Sequence, residues 1–148
     1  MIRTLIVDES PVVRSIIRDF LERDSNFIVV GEAGNGREGV ELAEQYTPDL
    51  ITMDIEMPLM NGLDATGLIR EKNINSVIVV ISTHDTAKMA YDATAKGAHE
   101  FYSKDIFTSK MTSLTRWNIL STLKEITGKK KTSAGADISQ RAVIEREK

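Results

Sequence analysis

The sequence predicts an α/β fold built on one parallel β-sheet. Five short apolar runs alternate along the chain with segments that repeat apolar residues at the helical period. Strands that alternate with helices are typical of parallel sheets covered on both faces, and their crossovers are right-handed. The apolar runs also end in polar side chains, as expected where a strand meets a loop. We therefore expect a doubly wound, five-stranded sheet.

Two strand and helix pairs are predicted in the first third of the chain. Residues 2–7 form the first apolar run. Ser10 and Pro11 then predict a helix start, because serine caps free amides and proline is preorganised for the first turn. Residues 27–30 are again strand-like, and a glycine-rich turn separates them from a helix over residues 37–46. The apolar positions of the first helix are Val13, Ile16, Ile17, Phe20 and Leu21.

Three more pairs complete the predicted sheet. Residues 50–53 are too few and too apolar for an amphipathic helix, so they predict a strand buried on both faces. Gly97 is well placed to end the fourth helix, and Ser109 to start the last one. The remaining predicted strands are residues 77–81 and 98–102, and the predicted helices are residues 63–70, 86–96 and 109–127.

Length and composition indicate a single soluble domain. The chain has 148 residues, 41% of them hydrophobic and 28% charged, which suits one globular core. A formal charge of -3 gives no general basic field, so direct DNA binding is not expected despite the lysine run at residues 129–131. The lack of cysteine excludes disulfides and thiolate metal sites. No stretch suits a signal peptide or a membrane span, which favours a cytoplasmic protein.

Acidic, hydroxyl and amino side chains follow four of the predicted strands. In a doubly wound sheet the carboxyl ends of the strands share one edge, where ligands bind. Four separate segments would therefore deliver these side chains to one crevice, a mixture that independent turn caps would not predict. The residues are Asp8 and Glu9, Asp54, Ser82 and Thr83, and Lys104.

The chemistry of this mixture favours phosphoryl transfer to Asp54. Three carboxylates brought together repel one another, and Mg2+ relieves the repulsion while it accepts phosphate oxygens. A carboxylate can act as the nucleophile that forms an acyl phosphate, and the transfer then needs positive charge and donors around the phosphoryl oxygens. Lys104 and Ser82 would supply these. Each residue taken alone is explained as well by a turn cap, an ion pair or a turn hydroxyl.

Four motifs in order resemble the receiver domain of two-component response regulators. They are VDES at residues 7–10, MDIEMPLMNG at 53–62, Ser82 after an apolar strand, and FYSK at 101–104. The resemblance covers about residues 1–127, and the segment around Asp54 is most similar to receivers of the chemotaxis methylesterase type. It implies a flavodoxin-like (βα)5 fold with strand order 2-1-3-4-5.

The resemblance also implies a role for each matching residue. Asp54 accepts a phosphoryl group from a sensor histidine kinase or a phosphotransfer protein. Glu9, Asp54 and the backbone carbonyl of Glu56 bind Mg2+, while Asp8 acts mainly through a coordinated water. Lys104 pairs first with the acids and then with the phosphoryl group.

Ser82 and Phe101 match the switch pair of the family. The hydroxyl moves to the phosphoryl oxygen and the aromatic ring turns inward, so that phosphorylation becomes a population shift between two packings. A downstream protein reads this shift on the surface of the fourth helix, the fifth strand and the fifth helix. Whether the active form is a homodimer is left open.

Some positions depart from the family pattern or vary within it. Asp105 stands where a proline commonly follows the lysine, so the loop that carries Lys104 is expected to differ. Thr83 replaces a small residue and is expected to restrict access to the phosphoryl site. Glu56 and His84 match the positions that tune hydrolysis. His84 would position water or pair with Glu56, or it is simply an exposed loop histidine.

Three other functions are compatible with parts of the sequence. GNGREG at residues 34–39 matches a dinucleotide-binding fingerprint, but it lies in the second strand and helix unit, and a glycine-rich turn that caps a helix accounts for it. An aspartyl-phosphate hydrolase would use the same acids. A Mg2+-bound interaction module would never be phosphorylated. The lifetime of the phosphoryl group and kinase-dependent labelling separate the last two functions from a receiver.

The segment 128–148 is predicted to be a tail after the receiver domain of residues 1–127. It begins with lysines and small polar residues, as linkers do, and residues 138–148 can form a short helix. The tail would be the start of an output domain, a docking segment or a solvated end.

The helix before the tail is apolar around much of its circumference, which predicts either a partner surface or broad burial. Its apolar residues are Met111, Leu114, Trp117, Leu120, Leu123 and Ile126.

Overall fold

A computed structural model describes residues 1–84, 86–108 and 111–135 of the chain. Its strands are β1 (Ile2–Val7), β2 (Phe27–Ala33), β3 (Leu50–Met53), β4 (Val77–Ser82) and β5 (Glu100–Ser103). They form one parallel sheet in the order β2-β1-β3-β4-β5, which confirms the predicted fold class and strand order. The order reverses between β1 and β3, and in such sheets ligands bind outside the carboxyl ends of the strands at this point.

Helices cover both faces of the sheet. They are α1 (Pro11–Glu22), α2 (Gly36–Tyr46), α3 (Gly62–Glu71), α4 (Ala87–Lys96), α5 (Lys104–Thr108) and α6 (Ser113–Gly135). Buried residues of α2, α3 and α4 share one apolar cluster with the strands. Buried residues of α1 and α6 share a second cluster on the opposite face. Because it lies between the two clusters, β3 is buried along its whole length, as the sequence predicts.

The local signals at two helix ends act as the sequence predicts. Ser10 Oγ accepts a hydrogen bond from the backbone N–H of Val13, and Pro11 is the first residue of α1. Gly97 ends α4 in the left-handed region, with a φ of 111°. The cap at Ser10 fixes the end of the loop after β1, which carries Asp8 and Glu9.

The C-terminal part differs from the prediction. The short helix α5 begins at Lys104, where the sequence predicts a loop, and the N–H of Asp105 donates to Ser103 Oγ at 3.2 Å. The predicted helix over residues 109–127 corresponds to α6, which starts at Ser113 and reaches Gly135, because lysine is a good helix former and continues the helix. Ser109 and the predicted short helix within residues 138–148 lie outside the described residues.

The apolar surface of α6 is divided between core and solvent. Ile119, Leu120 and Leu123 are buried against the sheet, whereas Leu114 and Trp117 are 68% and 65% exposed. The two expectations for this helix, a broadly buried face and an apolar outer surface, therefore each apply to part of it. Neither α6 nor any other described helix is both long and apolar enough to cross a membrane.

Two glycines allow the loop after β3 to lie close to its neighbours. A Cβ on Gly62 would lie 1.8 Å from the backbone oxygen of Asp54, and a Cβ on Gly36 would lie 2.2 Å from that of Met60. Gly36 also donates its N–H to the Met60 oxygen at 3.0 Å. The sequence predicts Gly62 for a sharp turn. The structure shows that close backbone approach is the stronger requirement, because among the described glycines only Gly97 has a positive φ.

Replacing Gly62 with alanine should therefore destabilise the fold by about 2 kcal/mol or more, because the new Cβ meets backbone that cannot move aside. Gly67 in the same helix is the matched control. A Cβ there would meet only Lys96 Cδ at 3.5 Å, so Gly67→Ala should stabilise by roughly 0.5–1 kcal/mol through helix propensity. Urea unfolding of both variants measures the difference. Equal effects of the two substitutions would contradict the close approach at Gly62.

A second substitution tests the cost of a buried hydroxyl on the face of the sheet that α1 and α6 cover. Among the described residues, Thr52 Oγ1 is a buried side-chain oxygen without a hydrogen-bond partner. Thr52→Val keeps the shape and removes this cost, so stability should rise by about 1 kcal/mol. The control Thr66→Val removes a buried hydroxyl that donates to the Gly62 oxygen at 2.7 Å, and it should lower stability by about as much. A destabilised Thr52→Val protein would mean that a buried water satisfies the hydroxyl.

Candidate functional site

The carboxyl ends of four strands meet at one cavity. Asp8 and Asp54 directly follow β1 and β3, Lys104 follows β5, and Ser82 is the last residue of β4. The cavity has a volume of about 420 Å3 and is lined by Asp8, Glu9, Ser10, Asp54, Glu56, Thr83 and Lys104. The structure thus brings together the predicted strand-end residues, although Ser82 is buried and does not line the cavity.

One ammonium group joins the two buried carboxylates of the site. Lys104 Nζ lies 2.9 Å from Asp8 Oδ2 and 3.2 Å from Asp54 Oδ1. The aspartate side chains are only 2% and 5% exposed, and the lysine side chain is 14% exposed. Buried charges are tolerated when they are paired, so Lys104 offsets part of the cost of placing two carboxylates inside the protein.

The charges of this trio do not balance. Burial raises the pKa of Asp54 above its ordinary value, and the charge of Asp8 raises it further, whereas Lys104 acts in the opposite direction. Burial lowers the pKa of Lys104, but its contacts with Asp8 and Asp54 outweigh this effect and raise the pKa overall. Lys104 therefore stays protonated, and an excess of negative charge remains at the cavity.

The loop after β1 presents its two acids in different settings. Asp8 is held in place, because its N–H donates to the Ala33 oxygen at 3.0 Å and its Oδ1 accepts from the N–H of Ser10 at 2.9 Å. Glu9 is exposed on the cavity wall. Its carboxylate can therefore approach a ligand without leaving a buried position.

The donor set fits a partly hydrated magnesium ion. Among the described residues, no group of three or more histidine, aspartate or glutamate side chains is arranged to enclose a metal ion. Mg2+ does not require such a cage, since it usually binds one or two carboxylates and keeps waters or phosphate oxygens as its other ligands. Asp8, Glu9 and Asp54 place three carboxylates at the cavity, and Glu56 also lines it.

Ser82 and Phe101 lie on the same face of the sheet. Phe101 pairs with Val80 in the ladder between β4 and β5, and Val80 is two residues before Ser82 on its strand. Phe101 is half-buried against the cluster formed with α2, α3 and α4. Ser82 is buried, and its Oγ accepts a hydrogen bond from the N–H of His84 at 3.1 Å. The hydroxyl is thus engaged with the loop after β4.

Glu56, which lines the cavity, forms an ion pair with His84 when the histidine is protonated. His84 Nδ1 lies 2.8 Å from Glu56 Oε1, and both side chains are more than half exposed. Of the alternatives that the sequence leaves open for His84, pairing with Glu56 is the one observed. Thr83 also lines the cavity, and its effect on access to the site stays a prediction.

Arg14 and Glu32 support the acid loop, defined as residues 8–10, and neither is apparent from the sequence. Arg14 on α1 donates to the backbone oxygens of Asp8 and Glu9, and Glu32 on β2 accepts from Arg14. The signal that points to this pair is a charged residue, Glu32, within the edge strand β2. The short spacing from Ser10 to Arg14 places the arginine on the first turns of α1, near the site.

Comparison with known proteins agrees with this geometry. The family described as "Response regulator receiver domain" matches residues 4–116. The nitrate/nitrite response regulator protein NarL of Escherichia coli K12 is 38% identical over 102 residues, which cover 69% of this chain and 47% of that protein. A protein-glutamate methylesterase/protein-glutamine glutaminase of Thermotoga maritima is 42% identical over 105 residues, which cover 70% of this chain and 30% of that protein.

A solved structure extends the likeness to three dimensions. The response regulator domain of Thermotoga maritima CheB is 32% identical, with a TM-score of 0.68, and the match covers 93% of this chain and 98% of that domain. The chain spans less than half the length of the curated relatives named above. The matches therefore concern their receiver part. The chain belongs to the response regulator receiver domain family of two-component signalling systems.

Proposed function

We propose that this domain is a signalling switch of the cytoplasm that accepts a phosphoryl group on Asp54 from a sensor histidine kinase or a phosphotransfer protein. Membership of the receiver family implies phosphorylation-dependent signalling. The observation that supports Asp54 as the acceptor is its carboxylate, which lines the cavity and pairs with the same Lys104 ammonium as Asp8. A carboxylate held beside a fixed cation and open to a cavity is suited to attack phosphorus.

Asp54 and Lys104 would have different roles in the phosphoryl transfer. Asp54 supplies the attacking oxygen, and the bond between phosphorus and the donor nitrogen breaks. Lys104 then neutralises charge on the phosphoryl oxygens, because it already lies 3.2 Å from the carboxylate that receives the group.

Four oxygen-bearing residues would hold magnesium beside Asp54. Asp54 and Glu9 offer carboxylates, Glu56 its backbone carbonyl, and Asp8 a carboxylate that acts through water. The bound ion would supply positive charge to the transferring phosphoryl group. This assignment follows the family likeness, and the excess of negative charge at the cavity supports it.

Phosphorylation would be read through Ser82 and Phe101. In the structure the Ser82 hydroxyl accepts from the N–H of His84. Turning this hydroxyl toward a phosphoryl oxygen would break that bond and release the loop after β4, and Phe101 on the same face would move inward. The two arrangements are alternative packings whose populations the phosphoryl group shifts.

The output would be a contact with another protein on the surface of α4, β5 and α6. Tyr91 of α4 and Leu114 and Trp117 of α6 are exposed large side chains on two of these elements. Aromatic side chains are enriched in protein interfaces. The same surface would also suit the formation of a homodimer.

Two alternatives use the same acids. An aspartyl-phosphate hydrolase would lose the group within each turnover, and the exposed pair of Glu56 and His84 is the feature that would tune this loss. An interaction module would bind Mg2+ and remain unphosphorylated. The persistence of the phosphoryl group over seconds or longer separates the switch from the hydrolase, and labelling by a kinase separates it from the module.

Incubation with Mg2+ and the small phosphodonor acetyl phosphate should add one acid-stable, base-labile phosphate to the protein, measured by intact mass. Asp54→Ala should remove the phosphorylation, whereas Asp64→Ala, at an exposed aspartate of α3, should retain it. Chelation of Mg2+ with EDTA should prevent the reaction. If the wild type binds Mg2+ and remains unphosphorylated, the switch proposal is wrong and the interaction module takes its place.

Asp54→Asn should stabilise the metal-free protein at pH 7 by about 1 kcal/mol, as often happens when a strained functional charge is removed. Because folding raises the pKa of Asp54, the folded state binds its proton more tightly, and ionisation of Asp54 costs stability. This cost is absent below the ordinary pKa of 3.8 and complete above the raised pKa. The gain from Asp54→Asn should therefore shrink as the pH falls toward 4.

Urea unfolding at several pH values measures the gain. Asp92 is a suitable control, because it pairs on the surface of α4 with exposed Lys88 at 2.9 Å. Asp92→Asn should change stability by less than about 0.5 kcal/mol at any of these pH values. A gain from Asp54→Asn that does not depend on pH would show that packing, and not charge, limits the stability of the wild type.

A further inference from the structure

We propose that Arg14 is a positioning residue that fixes the backbone of the acid loop, defined as residues 8–10, for metal binding, and that Glu32 holds Arg14 in place. The inference rests on the proposed Mg2+-dependent function. It assigns a role to two residues that lie outside the cavity lining.

Arg14 contacts the backbone of the acid loop and does not line the cavity. Its Nη1 donates to the backbone oxygen of Asp8 at 2.5 Å and to that of Glu9 at 3.3 Å. A charged donor makes stronger hydrogen bonds than a neutral one, and here one nitrogen joins two consecutive carbonyls. The carbonyls of the two acids are thereby turned toward α1, while the Asp8 side chain remains directed toward Lys104.

Glu32 fixes the other edge of the guanidinium. Arg14 Nε donates to Glu32 Oε1 at 2.9 Å, and the Arg14 side chain is 18% exposed. Hydrogen bonds from Arg18 and Arg14 outweigh the effect of burial and hold the pKa of Glu32 below its ordinary value, so Glu32 stays ionised. Because β2 pairs with β1 through the register of Ile6 with Glu32, this anchor belongs to the rigid sheet.

The same anchor largely compensates the positive charge of Arg14. An unpaired positive charge near the site would oppose Mg2+ binding, since like charges repel. With Glu32 beside it, Arg14 can hold the backbone of the acid loop at a smaller electrostatic cost to a cation in the cavity. Removal of a residue that holds a metal-binding segment by hydrogen bonds typically weakens metal binding by 10–100-fold.

Arg18 is a control that the structure itself provides. It donates to Glu32 Oε2 through Nε at 2.9 Å and through Nη2 at 2.7 Å, so it shares the carboxylate with Arg14. None of its described hydrogen bonds or ion pairs reaches the acid loop, and its other ion-pair partner is Glu22 at 3.5 Å. Loss of Arg18 therefore removes a charge and an ion pair of the same cluster without removing the bonds to the acid loop.

The test is the Mg2+ dissociation constant of the whole chain, measured by isothermal titration calorimetry. Arg14→Ala should weaken Mg2+ binding about ten-fold, and Arg18→Ala should leave it within about two-fold of the wild type. The electrostatic alternative has the opposite sign, because deleting a cation near the site should tighten binding. Arg14→Lys keeps the charge but replaces the planar guanidinium with one flexible ammonium group, so it should recover Mg2+ binding only in part.

A second readout does not depend on the metal. Amide hydrogen exchange at Ser10, measured by NMR in metal-free protein, should accelerate in Arg14→Ala and remain unchanged in Arg18→Ala, because Arg14, unlike Arg18, donates to the carbonyls of Asp8 and Glu9. Global unfolding in urea shows whether either variant is simply less stable.

The outcomes separate this inference from the proposed function. Unchanged or tighter Mg2+ binding by Arg14→Ala, together with unchanged exchange at Ser10, would overturn the positioning role even if the wild type is phosphorylated on Asp54. Equal losses of affinity in Arg14→Ala and Arg18→Ala would also overturn it, because the ion-pair cluster as a whole would then be responsible. A wild type that binds no Mg2+ would refute the proposed function, and the exchange at Ser10 would still decide whether Arg14 fixes the loop.

Discussion

Two buried carboxylates share one ammonium at the centre of the site. Asp8 and Asp54 would repel each other without Lys104, and neither aspartate is exposed enough for water to screen the repulsion. The three residues come from separate strands, so the parallel sheet must hold β1, β3 and β5 in fixed register to keep them together. The apolar clusters on both faces serve this purpose, since they make the strands rigid up to the residues where the charges begin.

This arrangement leaves the site with more negative than positive charge. A protein that used the trio only for stability would gain from replacing one carboxylate by a neutral group. Retention of both carboxylates is better explained by a ligand that brings positive charge, and by a reaction that needs an ionised acceptor. Burial raises the pKa of Asp54 and the charge of Asp8 raises it further, so the same surroundings that make ionisation costly also prepare the carboxylate for the proposed reaction.

The sequence predicts the strand ends well and the connections between them less well. Asp8, Asp54 and Lys104 could be placed at one edge because short apolar runs mark strands whatever the tertiary contacts are. The start of α5 at Lys104 and the length of α6 depend on weak local preferences, which the pattern does not resolve. The ion pair of Arg14 with Glu32 and the burial of Ser82 are tertiary features. The bonds of Arg14 to the acid loop and of the His84 N–H to Ser82 are local, but they depend on the directions of the side chains. A single sequence shows them only as charged or polar residues in or beside apolar segments.

The glycines of residues 34–39 show that the same glycine spacing can have two different structural causes. In a dinucleotide-binding fold, such glycines make room for a pyrophosphate. Here Gly36 makes room for the carbonyl of Met60, and a Cβ on Gly39 would lie 2.9 Å from a methyl group of Val7. A search that assigns a cofactor from this pattern alone would return a false positive for this chain. The atom that each glycine accommodates, whether it belongs to a ligand or to the protein, distinguishes the two cases.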